Sequence, residues 1–139
     1  MSCPCGSGSS YPSCCEPFHD GAPAPTAEAL MRSRYAAYAL GRLDHVFRTW
    51  HPRTRPDEVE PTPGLTWQGL RVLRTEGGGE DDDTGIVEFE ARYRVGAGAG
   101  AGAGSGGRSG GRGRDGVLHE VSRFARRAGR WVYVDGDVD

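Results

Sequence analysis

Between residues 86 and 95 apolar and polar side chains alternate without a break: Val87, Phe89, Ala91, Tyr93 and Val95 fall on one face, Glu88, Glu90, Arg92 and Arg94 on the other. A period of two over that length predicts a half-buried antiparallel strand. Residues 66–75, 117–125 and 130–135 are further strand candidates, the last two joined by a turn at Ala128-Gly129. Gly77-Gly78-Gly79 and Asp81-Asp82-Asp83 predict an exposed turn between the first two strands. Upstream the period changes to that of a helix. Thr26 is placed as an N-cap, with Glu28 in the first turn where the helix dipole favours an acid. With Leu30 as zero, Arg34 falls near ~40°, Tyr38 near ~80°, Met31 near ~100° and Tyr35 near ~140° on the wheel. Arg34 therefore sits inside the apolar stripe, and Arg32 falls on the outer face.

Gly41 ends this helix, and Asp44 is in position to cap a second, on which Leu43, Val46, Phe47 and Trp50 recur before Pro52. Pro56, Pro61 and Pro63 make residues 53–64 irregular, and Pro17, Gly21, Pro23 and Pro25 make residues 16–25 a connector. Residues 96–114 contain ten glycines in nineteen positions. Such a tract cannot bury enough surface to offset its ordering entropy, so it is expected to be a flexible insertion at a hairpin tip, where added loop length costs little. Helices followed by an antiparallel sheet define an α+β fold.

Composition narrows the classes. The chain has 139 residues, 36% of them hydrophobic, and its 17 basic residues, all Arg, against 19 acidic ones leave a net charge of −2. One domain with a small appended module is the expectation at this length. No run of eighteen apolar residues is present, which excludes a membrane-spanning helix. Near-neutral charge argues against a nucleic-acid or membrane-surface coat. The segment Arg108-Ser109-Gly110-Gly111-Arg112-Gly113-Arg114 is similar to Arg-Gly tracts that bind RNA, but it holds three arginines and no aromatic.

Cys3, Cys5, Cys14 and Cys15 are the cysteines of the chain. The first residues have neither a basic start nor an apolar stretch, so a cytosolic, reduced location is expected. There a dense thiol cluster predicts a metal site rather than two strained disulfides within thirteen residues. Four thiolates suit tetrahedral Zn²⁺, and a fully ligated ion has a structural role. Gly6-Ser7-Gly8 lets backbone N–H groups turn toward the sulfurs and offset their charge. His19 is an alternative to Cys15 as a ligand, and a tail of free thiols is the alternative to any metal.

Cys3-Pro4-Cys5-Gly6-Ser7-Gly8 with Tyr11 and Cys14-Cys15 resembles the SEC-C zinc motif. Leu30-Met31-Arg32-Ser33-Arg34-Tyr35, Thr49-Trp50-His51-Pro52, His119-Glu120-Val121-Ser122-Arg123-Phe124 and Trp131-Val132-Tyr133-Val134-Asp135-Gly136 follow in order, a series that resembles the YchJ-like bacterial family. The resemblance implies a zinc knuckle over residues 1–20. It also implies, over residues 21–139, a nuclear transport factor 2-like cone: two helices packed on a curved antiparallel sheet.

Charged residues on apolar faces mark where chemistry is to be sought. A buried Arg34 needs a carboxylate or a wet hollow, and Glu120, sharing a strand face with Leu118 and Phe124, is the expected partner. Arg123 and His119 lie on the opposite face. His51 reads either as a helix C-terminal cap or, with Trp50 as wall, as an acid or base in the hollow. Tyr35 and Tyr38 are core residues or oxyanion donors. The pocket candidates are thus Arg34, Tyr35, Trp50, His51, Glu120 and Arg123, and no nucleophile motif accompanies them. The acidic run of residues 80–83 lacks the ligand spacing of a calcium loop. The leading expectation is a binding or adaptor protein that meets a protein or ribosomal partner through its knuckle. The rival is a small isomerase- or hydrolase-type enzyme that holds a small molecule in the hollow.

Overall fold

The computed structural model describes residues 2–59, 64–96 and 114–138. Most of the glycine-rich tract and Pro61 and Pro63 lie outside the described residues. The chain begins with a looped segment and a 3₁₀ turn, Tyr11–Ser13, followed by α1 (Glu16–His19), α2 (Ala27–Leu40) and α3 (Leu43–Arg48). Four strands follow: β1 (Leu65–Gly77), β2 (Thr84–Val95), β3 (Arg114–Arg127) and β4 (Arg130–Val138). They form one antiparallel sheet in the order β1-β2-β3-β4. Each predicted strand is present and longer than the hydrophobic run that signalled it, because the paired backbone continues past the apolar residues.

Local chemistry sets the helix ends. The Thr26 hydroxyl accepts the Ala29 N–H at 3.0 Å, and Gly41 closes α2 at φ 78°, a left-handed conformation that costs glycine little. The second helix differs from the expectation. Asp44 does not cap it; α3 begins at Leu43 with Arg42 in the cap position, and the Asp44 carboxylate is drawn to Arg48 at 3.3 Å. α3 also ends at Arg48, so Trp50 is not helical. Residues 49–51 instead run beside β4, with His51 N–H donating to Tyr133 O and Tyr133 N–H to Thr49 O, each at 2.8 Å. The predicted helical period was broken because these edge-strand bonds offered the backbone better partners; they also cover part of an otherwise open sheet edge.

Register shifts occur in β1 between Trp67 and Gly69 and between Val72 and Arg74, and at Arg123/Phe124 where β3 meets β4. Such irregularities increase local twist and bend the strands. The concave face buries Val87, Phe89, Ala91 and Phe124 against Leu30, Met31 and Tyr35 of α2. The convex face carries ion pairs such as Arg74–Glu88, Arg94–Asp115 and Arg123–Asp135.

The turn between β1 and β2 is not wholly exposed. Gly78 is buried, at φ 79°, and its carbonyl accepts the Ala27 N–H at 2.9 Å, anchoring the start of α2 on the sheet. Arg126 holds the acidic side of the turn, donating to the carbonyls of Asp82 and Glu80 while stacking on Trp131. A side chain at Gly85 would meet Gly78 N at 2.8 Å and Ala27 Cβ at 3.1 Å, both on backbone or a short rigid side chain. Gly85→Ala is therefore expected to destabilise the protein by about 1–3 kcal/mol, read from the midpoint of urea unfolding.

Candidate functional site

The N-terminal loop folds back on itself. Cys3 N–H donates to Ser9 O at 2.9 Å and Gly6 N–H to Cys3 O at 3.2 Å, and Ser2 bridges Ser10. This brings the four sulfurs of Cys3, Cys5, Cys14 and Cys15 within 4.8 Å of one another. Cys5 and Cys14 are 3.5 Å apart and Cys14 and Cys15 3.8 Å apart. A tetrahedron with metal–sulfur bonds of ~2.3 Å has sulfur–sulfur edges of ~3.8 Å, so the donor set and spacing fit one tetrahedral ion. The Ser7 hydroxyl lies 3.1 Å from the Cys14 sulfur.

The electrostatics of the quartet point the same way. Hydrogen bonding with Cys15 lowers the Cys5 thiol to about 4, helped by the Ser7 hydroxyl and backbone amide. The same contact, then burial, pushes Cys15 up, and burial raises Cys3. A divalent ion held among the four sulfurs would favour the ionised form of each. His19 is not available as a substitute ligand. It is 1% exposed, and both ring nitrogens are engaged, Nδ1 with the Tyr11 hydroxyl at 2.7 Å and Nε2 with Ser33 O at 2.8 Å.

Residues expected to form a plain connector contain α1, and they fasten the knuckle to α2. The supposed outer face of α2 is where the knuckle docks: Arg32 donates from Nη1 to Cys5 O at 2.9 Å while pairing with Glu28. Cys3, Cys5 and Cys15 belong to the same continuous core as Ala27, Leu30 and Met31. A buried polar chain runs from Tyr11 through His19 to Ser33, and the Ser33 hydroxyl lies 2.9 Å from His45 Nε2.

On the far side of α2 lies a hollow of about 340 Å³ between the helices and the concave sheet. Of the pocket candidates, Arg34, Tyr35, Trp50 and Glu120 line it, together with Tyr38, which stands 37% exposed. Met31 and Phe124 are walls and leave the space open. Arg34 is 6% exposed. It does not pair with Glu120: Nη1 donates to Val46 O at 2.9 Å and to Thr49 Oγ1 at 2.8 Å, and the guanidinium lies over the rings of Tyr133 and Trp50, 4.6 and 5.1 Å from their centroids. Burial lowers its pKa to about 10, so it stays cationic at neutral pH. Glu120 Oε2 accepts instead from the hydroxyls of Ser122 at 2.7 Å and Tyr133 at 2.9 Å. The expected pair failed because α3 and β4 supply the arginine with carbonyl, hydroxyl and ring partners nearer than the carboxylate.

The hollow does not include Arg123 or His51. Arg123 projects from the convex face to Asp135 and Asp137, as strand alternation requires. His51 accepts the Arg53 N–H at Nδ1, 3.0 Å away, and lies three residues beyond the end of α3. Tyr35 is 5% exposed, edge-on to Trp67, and burial raises its pKa against the opposing pull of the Gly69 amide and Arg92. Tyr133, Trp67, Thr49 and Ser122 are site residues that the sequence reading did not single out. Ser122 could have been found from its parity with Glu120 and Phe124. Tyr133 has no such signal, because the bulge between Arg123 and Phe124 decides what it faces.

A family model for the middle, nuclear transport factor 2-like domain of YchJ matches residues 26–136. The UPF0225 protein SCO1677 of Streptomyces coelicolor is 47% identical over 136 residues, covering 97% of this chain and 94% of its own. The UPF0225 protein of Deinococcus radiodurans is 48% identical over 137 residues, covering 96% and 86%. Among solved structures, RPA3114 of Rhodopseudomonas palustris, described as a SEC-C motif containing protein, superposes with a TM-score of 0.75 at 35% identity over 99% of this chain and 98% of that one. A SEC-C motif containing protein of Psychrobacter arcticus gives a TM-score of 0.65 at 25% identity, over 96% and 80%.

His45 is 2% exposed, and burial, with the nearby His19, Arg48 and Arg34 outweighing Asp44, lowers its pKa to about 3; burial also lowers His19. The unfolded chain binds these protons first, so the stability due to neutral histidines is whole above about pH 6.5 and falls as pH drops toward 3. His45→Gln, which retains a donor for Ser33, is expected to flatten the stability–pH profile over that interval in denaturant titrations.

Proposed function

Because this chain belongs to the UPF0225 family of YchJ-like proteins, we propose that it is a zinc-clasped ligand-binding protein, its cysteine quartet holding structural Zn²⁺ and its hollow taking a small organic molecule. The observation that carries the reading is the open hollow behind α2, with a buried cation and a carboxylate on its walls that do not bond each other. When bound, zinc supplies the charge that lets all four thiols ionise and a fixed node that orders the knuckle. The knuckle in turn braces α2, through Arg32 at Cys5 O and His19 at Ser33 O, so that Arg34 is presented to the hollow from a rigid helix. A reduced, cytosolic compartment suits four free thiols.

Two other readings make different demands. An adaptor that meets a protein or ribosomal partner through the knuckle has to use the exposed loop 6–10, because the opposite side is spent on α2. An enzyme needs titratable groups converging on a substrate. The hollow offers Glu120 and the tyrosines, but His51 and Arg123 are placed elsewhere. Binding is the more economical use of this surface. No described helix is long and apolar enough to cross a membrane.

Protein purified without added metal is expected to contain one zinc per chain by elemental analysis. Cys3→Ser/Cys5→Ser protein should lose it and melt at a lower temperature. Metal-free wild-type protein with the same melting temperature would remove zinc from the reading. Ligand entry into the hollow is expected to quench the fluorescence of Trp50 and Trp67, and a Met31→Trp variant that fills the space should abolish the response. Equal quenching in that variant would remove the hollow from the reading.

A further inference from the structure

We infer that the hollow selects a compact organic carboxylate that carries a hydrogen-bond donor and an apolar or aromatic body; this rests on the hollow being a binding site. The first ground is the unfinished coordination of Arg34. Both of its hydrogen bonds leave from Nη1, to Val46 O and Thr49 Oγ1. Nε and Nη2 have no hydrogen-bond partner among the described residues, while Cζ lies over the rings of Trp50 and Tyr133. Arg34 lines the hollow and keeps an unbonded edge of two parallel N–H donors, the geometry that matches the two oxygens of a carboxylate. A buried cation with unmet donors gains more from such an acceptor than an exposed one, because little water competes.

The second ground is Glu120. Its Oε2 is occupied by Ser122 and Tyr133, and Oε1 has no partner among the described residues. Tyr133 separates the two charges, its ring against Arg34 and its hydroxyl on Glu120, so they share a hollow without neutralising each other directly. A ligand with an acid at one end and an amine or hydroxyl nearby completes both. The other walls are mainly apolar or aromatic, among them Met31, Trp67, Phe89, Leu118 and Phe124, and ask for an apolar body. One cation with a carboxylate in the same space disfavours phosphates, which carry more negative charge than this site can match.

The test uses metal-loaded full-length protein and four probes of similar size: L-phenylalanine, 3-phenylpropionate, phenethylamine and the neutral 3-phenylpropanol, followed by calorimetry and tryptophan fluorescence. Both acids are expected to bind at least tenfold more tightly than phenethylamine or 3-phenylpropanol, with L-phenylalanine the tighter of the two. Arg34→Met should remove the preference for acids, and Arg34→Lys, which keeps charge but not the paired donors, should weaken it. Glu120→Gln should erase the advantage of L-phenylalanine over 3-phenylpropionate. Thermal melts identify any variant that has lost its fold, in which case the four-probe ranking on wild-type protein decides. If 3-phenylpropanol binds as well as the acids, the hollow stands as a binding site and the carboxylate inference is overturned. If no probe binds, the inference is overturned together with the reading beneath it.

Discussion

Burial of the Arg34 guanidinium is the constraint on which the rest of the molecule converges. An arginine that leaves water needs compensation from several directions. Here the Val46 carbonyl and the Thr49 hydroxyl fix α3 and its exit, and the rings of Trp50 and Tyr133 tie that exit to β4. The backbone bonds that pair residues 49–51 with Tyr133 are the same bonds that hold those rings in place. One side chain thus sets the relation between two helices and the sheet edge, and its unspent donors give the hollow its character.

The other side of α2 is finished by the knuckle. Ser33 and Arg34 are neighbours in sequence but serve opposite surfaces: Ser33 receives His19 and meets His45, while Arg34 turns to the hollow. A short cysteine-rich segment has too little apolar surface to fold alone, and small metal-bound units draw folding free energy from their ion. Docked on α2, the quartet adds Cys3, Cys5 and Cys15 to the common core. The cysteine quartet and the hollow are therefore joined through one helix, α2, which packs against both. Relatives that match over nearly the whole chain cover this segment as well as the helices and sheet.

Much of the fold was legible because its signals are local. Strict alternation in residues 86–95, Thr26 as a cap and Gly41 as a stop depend on the chain's own periodicity and backbone preferences. The cysteine quartet was legible for the same reason, since its spacing, thiol chemistry and glycines lie within fifteen residues. The α3 exit was misread because helical spacing at Trp50 competed with edge-strand pairing that only the folded sheet provides. Asp44 was misread because a nearby arginine is a stronger attraction than an unpaired amide.

What the sequence determined by itself was which residues could not rest in ordinary surroundings: an arginine in an apolar stripe, a glutamate on an apolar strand face, four thiols crowded together. What only tertiary structure decided was how each was satisfied. Arg34 and Glu120 share a hollow without bonding, Arg32 reaches the knuckle rather than water, and Tyr133 stands between the two charges. Those outcomes depend on bulges, helix docking and distances between segments that can lie more than a hundred residues apart, and the free energy of a buried charge is set by the sum of its neighbours in space, which the order of residues does not contain.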